Sequence, residues 1–303
     1  MRVVHSRIHI FRTRPLSSRE ILTWYLSVLS WQEQGHEVKF YCDAPNLKFI
    51  QRLHLDKLYN IIDSTFFDSL KHNYDLKTFW AIPKLLAYAR EPDNVIISDT
   101  DLFPFSDLSR FWNNYDVVIY ANKEFVNQHP YPPKERLSTA PGYEFPEWMD
   151  WTVQPLNTAI TYFKSPEMKK EFLDTSFAYV KDNYGDKKNK MGIDMVFAEQ
   201  RILAMVAAKN NLRVGIVQPL NKKCINKNAL HLWAYKSLPE HLMAPFDLYL
   251  FELLHNIAPD FWETLRDVDE LQVLFNYVDK EGFVYPTPAI FQLIFTPQGG
   301  QNG

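Results

Sequence analysis

The sequence predicts an α/β fold with a mixed, mostly parallel sheet flanked by helices, and two stretches carry that prediction. The chain opens with a strand over residues 3–11, a helix over residues 17–34 and a second strand at Glu37–Cys42. This strand–helix–strand order is typical of parallel sheets. Further on, residues 95–97 are Val-Ile-Ile. Such a β-branched run is typical of a strand that is buried on both faces of a sheet.

Local signals place the remaining elements. Ser17 and Glu20 have the spacing of a capping box, and Gly35 stands where a helix commonly ends. Pro83 is tolerated only in the first turn of a helix, so we expect the helix before the Val-Ile-Ile run to begin at about residue 82. The same criteria predict strands at residues 58–62, 115–120, 156–163 and 212–217, and helices at residues 46–53, 107–112, 166–184 and 194–209.

The length of 303 residues suits one large α/β domain, and we expect residues 1–240 to form it. Six prolines between residues 122 and 155 interrupt the alternation of strands and helices. Because long irregular stretches in compact domains are commonly functional, we interpret this one as an insertion that packs beside a site. Residues 241–303 are predicted to be a C-terminal helical extension with a poorly ordered tail.

Composition and missing motifs exclude several classes of function. The net charge of −3 argues against a nucleic-acid partner. Cys42 and Cys224 are the only cysteines, so we expect no disulfide framework and a reducing compartment, the cytoplasm. No run of about eighteen apolar residues predicts a transmembrane helix, which leaves peripheral membrane contact open. Glycine-rich dinucleotide motifs, P-loops, serine-hydrolase motifs and zinc-type cysteine clusters are missing.

Asp99 and Asp101 follow the Val-Ile-Ile strand after Ser98. Because residues i and i+2 of a strand point the same way, we expect the two carboxylates to converge at the carboxyl end of the strand, where open α/β sheets bind ligands. Without a Lys or Arg beside them, two carboxylates favour a bound Mg²⁺ or Mn²⁺ that itself holds a diphosphate. The alternative is a pair of aspartates that only caps the following turn.

Other polar residues are candidates for the same site. His231 would supply a third metal ligand, or it is a buried histidine bonded to the backbone. Lys236 could neutralise a diphosphate. Lys84, on the helix before the Asp pair, could reach a nucleotide or a sugar, or it faces solvent. Asn157 enters an apolar strand, where its amide must be hydrogen-bonded either to a sugar hydroxyl or to a neighbouring loop.

Asp194, Glu199 and Gln200 lie on one predicted helix. If the first half of that helix faces the cleft, these three side chains line the sugar site. The alternative is an ordinary solvated helix face.

The order of these features resembles the GT-A class of nucleotide-sugar glycosyltransferases. The likeness extends over residues 1–240 and is greatest to the glycogenin-like and bacterial capsular-polysaccharide types, including uncharacterised bacterial families. After the βαβ opening it rests on Phe79-Trp80 and Lys84 before the strand, Asp99-Thr100-Asp101 at its end, Asn157, the Glu199-Gln200 pair, and a late His231-x-Trp-x-x-Lys236.

The resemblance implies a role for each of these residues. Asp99 and Asp101 would bind Mn²⁺ or Mg²⁺ with the ribose and diphosphate of the donor, and His231 would complete the metal shell. The residues implied to bind the donor are Trp80, Lys84, Asp99, Asn157 and Lys236. Those implied to lie at the catalytic centre, beneath the donor sugar, are Asp194, Glu199 and Gln200.

The implied activity is metal-dependent transfer of a sugar from a nucleotide-sugar donor, a UDP-sugar by resemblance, to a glycan or small-molecule acceptor, as in polysaccharide biosynthesis. The match at His231 and Lys236 favours retention of the anomeric configuration. Inversion would need a carboxylate base, for which Glu147, Asp150 and Asp194 are candidates. Two other functions stay open, a nucleotidyltransferase and a non-catalytic nucleotide-sugar-binding protein with a degenerate site.

Overall fold

The computed structural model describes residues 1–8, 16–69, 74–122, 130–183, 192–219, 228–232 and 240–283. The strands are β1 (Arg2–Arg7), β2 (Glu37–Cys42), β3 (Ile61–Asp63), β4 (Val95–Ser98), β5 (Leu102–Pro104), β6 (Val117–Asn122), β7 (Leu156–Phe163), β8 (Val214–Ile216) and β9 (Ala229–His231). The helices are α1 (Ser18–Glu33), α2 (Ala44–Arg52), α3 (Ile82–Arg90), α4 (Ser109–Asn114), α5 (Pro166–Asp182), α6 (Ile193–Val196), α7 (Ile202–Lys209), α8 (Glu240–Ile257), α9 (Pro259–Glu263) and α10 (Gln272–Glu281).

Seven strands form one mixed sheet in the order β3-β2-β1-β4-β7-β6-β8, and β5 and β9 form a separate two-stranded ribbon. The strands from β3 to β4 run parallel to one another. β7 runs antiparallel to β4 and β6, and β8 is parallel to β6. This topology confirms the predicted mixed, mostly parallel sheet. Because β7 runs against β4, the start of β7 lies beside the carboxyl end of β4.

Helices cover both faces of the sheet. Val3 belongs to the core that β1 shares with α1 and α8, whereas the next residue, Val4, belongs to the core shared with α3, α5 and α7. This alternation follows from the period of two along a strand. All four residues of β4 are buried, as predicted for a strand covered on both faces. Within the described ranges, no helix is long and apolar enough to cross a membrane.

Three predicted helix starts are confirmed. Ser17 and Glu20 form the reciprocal capping box of α1, and the Ser165 hydroxyl accepts a hydrogen bond from the Met168 N–H at the start of α5. α3 begins at Ile82, with the proline in its first turn. Since α3 leads into β4, its first turn lies at the edge of the sheet where β4 ends.

One predicted helix is divided. The pattern over residues 194–209 predicts a continuous helix, but the structure has α6, a π-helical turn at Phe197–Arg201 and then α7. A π turn adds one residue to a helical turn and is frequent at functional sites, because it changes where the side chains point. Glu199, which lies on this turn, reaches Lys84 on α3.

Candidate metal centre

Asp99 and Asp101 lie on a tight turn between β4 and β5. β4 ends at Ser98, and the Asp99 N–H still donates to the Ala159 carbonyl at 2.8 Å. The chain then turns back, since the Leu102 N–H donates to the Asp99 carbonyl at 3.3 Å. The expectation that both aspartates occupy alternate positions of the strand is therefore wrong. Strand pairing stops after Asp99 because the chain turns to begin β5.

The β5–β9 ribbon brings His231 to the two aspartates. Leu102 is paired with His231, and the Leu232 N–H donates to the Asp101 carbonyl at 2.8 Å. As a result, His231 Nε2 lies 3.3 Å from Asp101 Oδ1 and 3.7 Å from Asp99 Oδ2. The ring is buried, and its edge meets the Tyr120 ring at a centroid distance of 5.3 Å. His231, which is distant in sequence, thus faces the same point as the two aspartates.

The donor set fits a divalent cation. One ligand atom from each of Asp99, Asp101 and His231 lies within 4.8 Å of the others. Opposite ligands of one Mg²⁺ are separated by about 4.2 Å, so the observed spread is close to what a single small ion requires. Two carboxylate oxygens and an imidazole nitrogen suit Mg²⁺ or Mn²⁺ better than a soft metal. These three side chains could therefore hold a metal ion.

Lys84 lies between two of the carboxylates. Its ammonium is 2.8 Å from Asp99 Oδ1 and 2.6 Å from Glu199 Oε1, and it donates to the Thr158 carbonyl at 2.6 Å. Burial alone would lower the pKa of Lys84, but the charges of Asp99 and Glu199 outweigh burial and raise it. The side chain is 8% exposed and stays protonated. The ammonium therefore donates hydrogen bonds to Asp99 and Thr158 and forms an ion pair with Glu199.

The next two residues of the π turn contact the stretch between residues 130 and 153. The Tyr131 hydroxyl donates to Gln200 Oε1 at 2.5 Å. Arg201 Nη2 donates to the Trp151 carbonyl at 2.7 Å, and its guanidinium lies 5.3 Å from the centre of the Trp151 ring. Burial, with a contribution from the Glu199 charge, raises the pKa of Tyr131, which keeps the hydroxyl protonated. The π turn thus joins the metal-ligand cluster to the irregular stretch.

Sequence reasoning missed the partners Thr158, Tyr131, Trp151 and Arg201. Each forms its contact with a residue at least 50 positions away in the sequence. No local pattern marks such pairs. One available signal is Arg201, a charged residue just before the apolar run at residues 202–208, where it is 1% exposed.

The structure places the other predicted residues in different surroundings. Asn157 is buried at the start of β7, where its Oδ1 accepts from the Ala159 N–H at 2.9 Å. Asp194 is buried on α6, accepts from the Tyr179 hydroxyl at 2.6 Å and is not part of the metal-ligand cluster. Trp80 is 46% exposed, one turn before Lys84. Lys236 lies outside the described residues.

Two of the three carboxylates considered as bases lie in the irregular stretch, and the third, Asp194, lies on α6. Glu147 and Asp150 are both exposed. Asp150 Oδ1 accepts hydrogen bonds from the N–H and hydroxyl of Thr152 at 2.8 and 2.6 Å, and these bonds lower the pKa of Asp150. A carboxylate held in this way is a weaker base than a free one.

The family model that matches the chain is described as a family of unknown function (DUF6734), and it matches residues 17–245. The chain belongs to this family. The matched part includes both aspartates of the cluster and His231. No curated protein is similar enough in sequence to be a relative.

Solved structures of three glycosyltransferases are similar to the chain in fold. The apo form of mouse xyloside xylosyltransferase 1 is 10% identical over 72% of this chain and 84% of that one, with a TM-score of 0.41. The PaToxG glycosyltransferase is 12% identical over 69% of each chain, with a TM-score of 0.38. The galactosyltransferase LgtC, in complex with donor and acceptor sugar analogs, is 11% identical over 72% of this chain and 73% of that one, with a TM-score of 0.37.

Proposed function

We propose that the protein is a metal-dependent glycosyltransferase that moves a sugar from a nucleotide-sugar donor to a glycan or small-molecule acceptor. The donor that we propose is a UDP-sugar. The observation that carries this proposal is the convergence of Asp99, Asp101 and His231 at the edge of the sheet where β4 ends. Open α/β sheets bind ligands at this edge, and the order of motifs along the chain resembles that of GT-A enzymes.

Each residue of the cluster has a role in the proposed reaction. Asp99, Asp101 and His231 would hold a Mn²⁺ or Mg²⁺ ion. When bound, such an ion stabilises the negative charge that develops on a leaving nucleoside diphosphate. Lys84 fixes the orientation of the Asp99 carboxylate. Gln200, with its amide oxygen held by a tyrosine hydroxyl, is placed by the same π turn and would face the donor sugar.

The finer parts of the proposal rest on the resemblance and on composition. Retention of the anomeric configuration is proposed because His231 matches the late histidine of the glycogenin-like group. Polysaccharide biosynthesis in a bacterium is proposed on the same likeness. A cytoplasmic location is proposed because the chain has only two cysteines.

The first test measures nucleotide binding by titration calorimetry, with UDP added in the presence and absence of Mn²⁺. Asp101→Ala should weaken Mn²⁺-dependent UDP binding by at least about tenfold, since a lost metal ligand costs at least as much as a lost hydrogen-bond partner of a ligand. Asp174→Ala is the matched control, because Asp174 is exposed on α5 and, among the residues that the structure describes, pairs only with Lys170. Wild-type affinity in the Asp101→Ala protein would contradict the proposal.

A second test separates the three functions. A panel of nucleotide sugars is screened for thermal stabilisation with and without Mn²⁺, because a ligand that binds only the folded state raises the apparent stability. The sugars that bind are then assayed for Mn²⁺-dependent release of UDP. Release of UDP supports the glycosyltransferase, binding without release supports a binding protein, and release of pyrophosphate from UTP supports a nucleotidyltransferase.

A further inference from the structure

Lys84 makes contacts that a donor-binding lysine would not need. Its ammonium donates hydrogen bonds to Asp99 Oδ1 at 2.8 Å and to the Thr158 carbonyl at 2.6 Å, and it forms an ion pair with Glu199 Oε1 at 2.6 Å. Lys84 and Glu199 are 8% and 3% exposed. A buried ion pair of this kind is part of the architecture of the site.

The two oxygens of the Asp99 carboxylate have different partners. Oδ1 of this carboxylate lies 2.8 Å from the Lys84 ammonium, whereas Oδ2 lies on the other side, 3.7 Å from His231 Nε2. One oxygen is therefore used inside the protein, and the other faces the cluster that could hold a metal. Lys84 is a positioning residue for Asp99.

The formal charges of five described residues of this group can be summed. Asp99, Asp101 and Glu199 contribute three negative charges, Lys84 contributes one positive charge, and His231 is neutral when it acts as a ligand. The remainder is two negative charges, which equals the charge of a divalent cation in magnitude. Charges in partly buried sites are costly unless they are balanced.

We propose that Lys84 and Glu199 set the net charge of the metal centre and thereby select a divalent cation. This inference rests on the proposed function, since it takes Asp99, Asp101 and His231 as the metal ligands. Lys84 supplies a permanent positive charge beside the ligands. Glu199 holds Lys84 in place, and its negative charge offsets the positive charge of the lysine. The affinity for Mn²⁺ then follows the net charge of the group.

Two single variants change this charge and a double variant restores it, and none of the three replaces a metal ligand. Glu199→Gln leaves one negative charge, Lys84→Met leaves three, and the double variant Lys84→Met with Glu199→Gln restores two. The Kd for Mn²⁺ alone is measured from the electron paramagnetic resonance signal of the free ion. La³⁺ then displaces Mn²⁺ in competition, which reports the preference between divalent and trivalent ions. None of these readouts depends on catalytic activity.

We expect Glu199→Gln to weaken Mn²⁺ binding by at least about tenfold. Two unit charges a few ångströms apart near a protein surface interact by more than about 1.4 kcal/mol, which is the equivalent of a tenfold change in Kd, even at an effective dielectric constant of about 20. Lys84→Met should bind Mn²⁺ more tightly and shift the preference towards La³⁺ by at least about tenfold. The double variant should return to within about threefold of the wild type. If Lys84→Met does not fold, the Kd values of Glu199→Gln and the double variant for Mn²⁺ still test the inference.

The outcome that overturns the inference is a double variant that binds Mn²⁺ as weakly as Glu199→Gln or more weakly. Lys84 and Glu199 would then act through geometry alone. His231→Ala and Asp101→Ala keep this result separate from the proposed function. If those two variants keep wild-type Mn²⁺ binding, or the wild type binds none, the metal site is wrong and both proposals fall. If both lose Mn²⁺ but the charge series shows no trend, only the charge inference falls.

Discussion

His5 is a buried histidine whose two ring nitrogens both have hydrogen-bond partners within the protein. It is fully buried on β1, with Nδ1 at 2.8 Å from the Tyr59 hydroxyl and Nε2 at 3.3 Å from the Ser27 hydroxyl. Trp24 Nε1 donates to the Tyr59 oxygen at 2.6 Å, so the Tyr59 O–H is free to donate to His5 Nδ1. A neutral ring satisfies both contacts, with one nitrogen donating and the other accepting. His231, in contrast, points Nε2 at two carboxylates.

Burial lowers the pKa of His5 to about 3, although the charge of Asp101 opposes the shift. The unfolded chain has a histidine pKa of about 6.5. Between these values the unfolded state binds a proton that the folded state does not. The stabilising contribution of neutral His5 is therefore complete above pH 6.5 and is lost as the pH falls towards 3, by about 1.4 kcal/mol per pH unit.

We expect His5→Gln to remove this part of the pH dependence. The free energy of unfolding, measured by urea denaturation at pH 7.5, 6 and 5, should fall less steeply in the variant than in the wild type. The carboxylates contribute equally to both proteins, so the difference in slope isolates His5. Equal slopes would show that His5 is protonated in the folded state.

Several elements that build the candidate site are short. β5 and β9 have three residues each, and the π turn has five. A three-residue strand has no periodicity that a sequence pattern could detect. These elements exist because partners distant in sequence stabilise them, as Leu102 does for His231. Functional geometry thus depends on the elements with the weakest local signals.

The hydrogen bond between Tyr131 and Gln200 joins the irregular stretch to the π turn. Removing this bond therefore tests the link between the two elements. Tyr131→Phe removes one buried hydroxyl that donates to the Gln200 amide. We expect a loss of about 1 kcal/mol of stability and faster amide exchange in residues 130–153, measured by hydrogen–deuterium exchange mass spectrometry. Tyr143→Phe is the matched control, since the Tyr143 hydroxyl makes no hydrogen bond within the described residues. Equal exchange in the two variants would contradict the proposed link.

At the scale of the molecule, the helices that follow residue 240 share a core with the sheet. Phe246, Leu250 and Leu254 of α8 are buried in the same cluster as α1 and one face of the sheet. Asp247 accepts from Arg19 Nε at 2.7 Å and from the Ser18 hydroxyl at 2.9 Å at the start of α1. Unfolding of this helical part therefore exposes the face of the sheet that it covers.

The Arg19–Asp247 pair should consequently matter for global stability. Asp247→Ala leaves Arg19, with a side chain only 7% exposed, without this partner, and we expect a loss of about 3 kcal/mol. Asp267→Ala is the control, because the Asp267 side chain is 69% exposed in its pair with His54 and exposed pairs contribute less than about 1 kcal/mol. Both are measured by urea denaturation. Two separate transitions, or equal losses, would contradict a shared core.

Local sequence signals were sufficient to predict many of the strands and helices. Strands β2 and β7 lie where the pattern predicts them, to the residue, and α3 starts beside Pro83. These predictions succeed because an apolar run, a capping hydroxyl or a proline acts within one or two turns of chain. The Asp pair and its place after a buried strand could also be found in this way.

The sequence by itself determined the class of fold, the strand that leads to Asp99 and the kinds of residue available to hold a cation. Only the tertiary structure decided how they meet. A turn, not a strand, aligns the two aspartates; a ribbon with a strand 130 residues away supplies His231; and a π turn joins Glu199 to Lys84. The physical reason is that burial and ion pairing act between side chains that are close in space, and closeness in space is set by the packing of the whole chain.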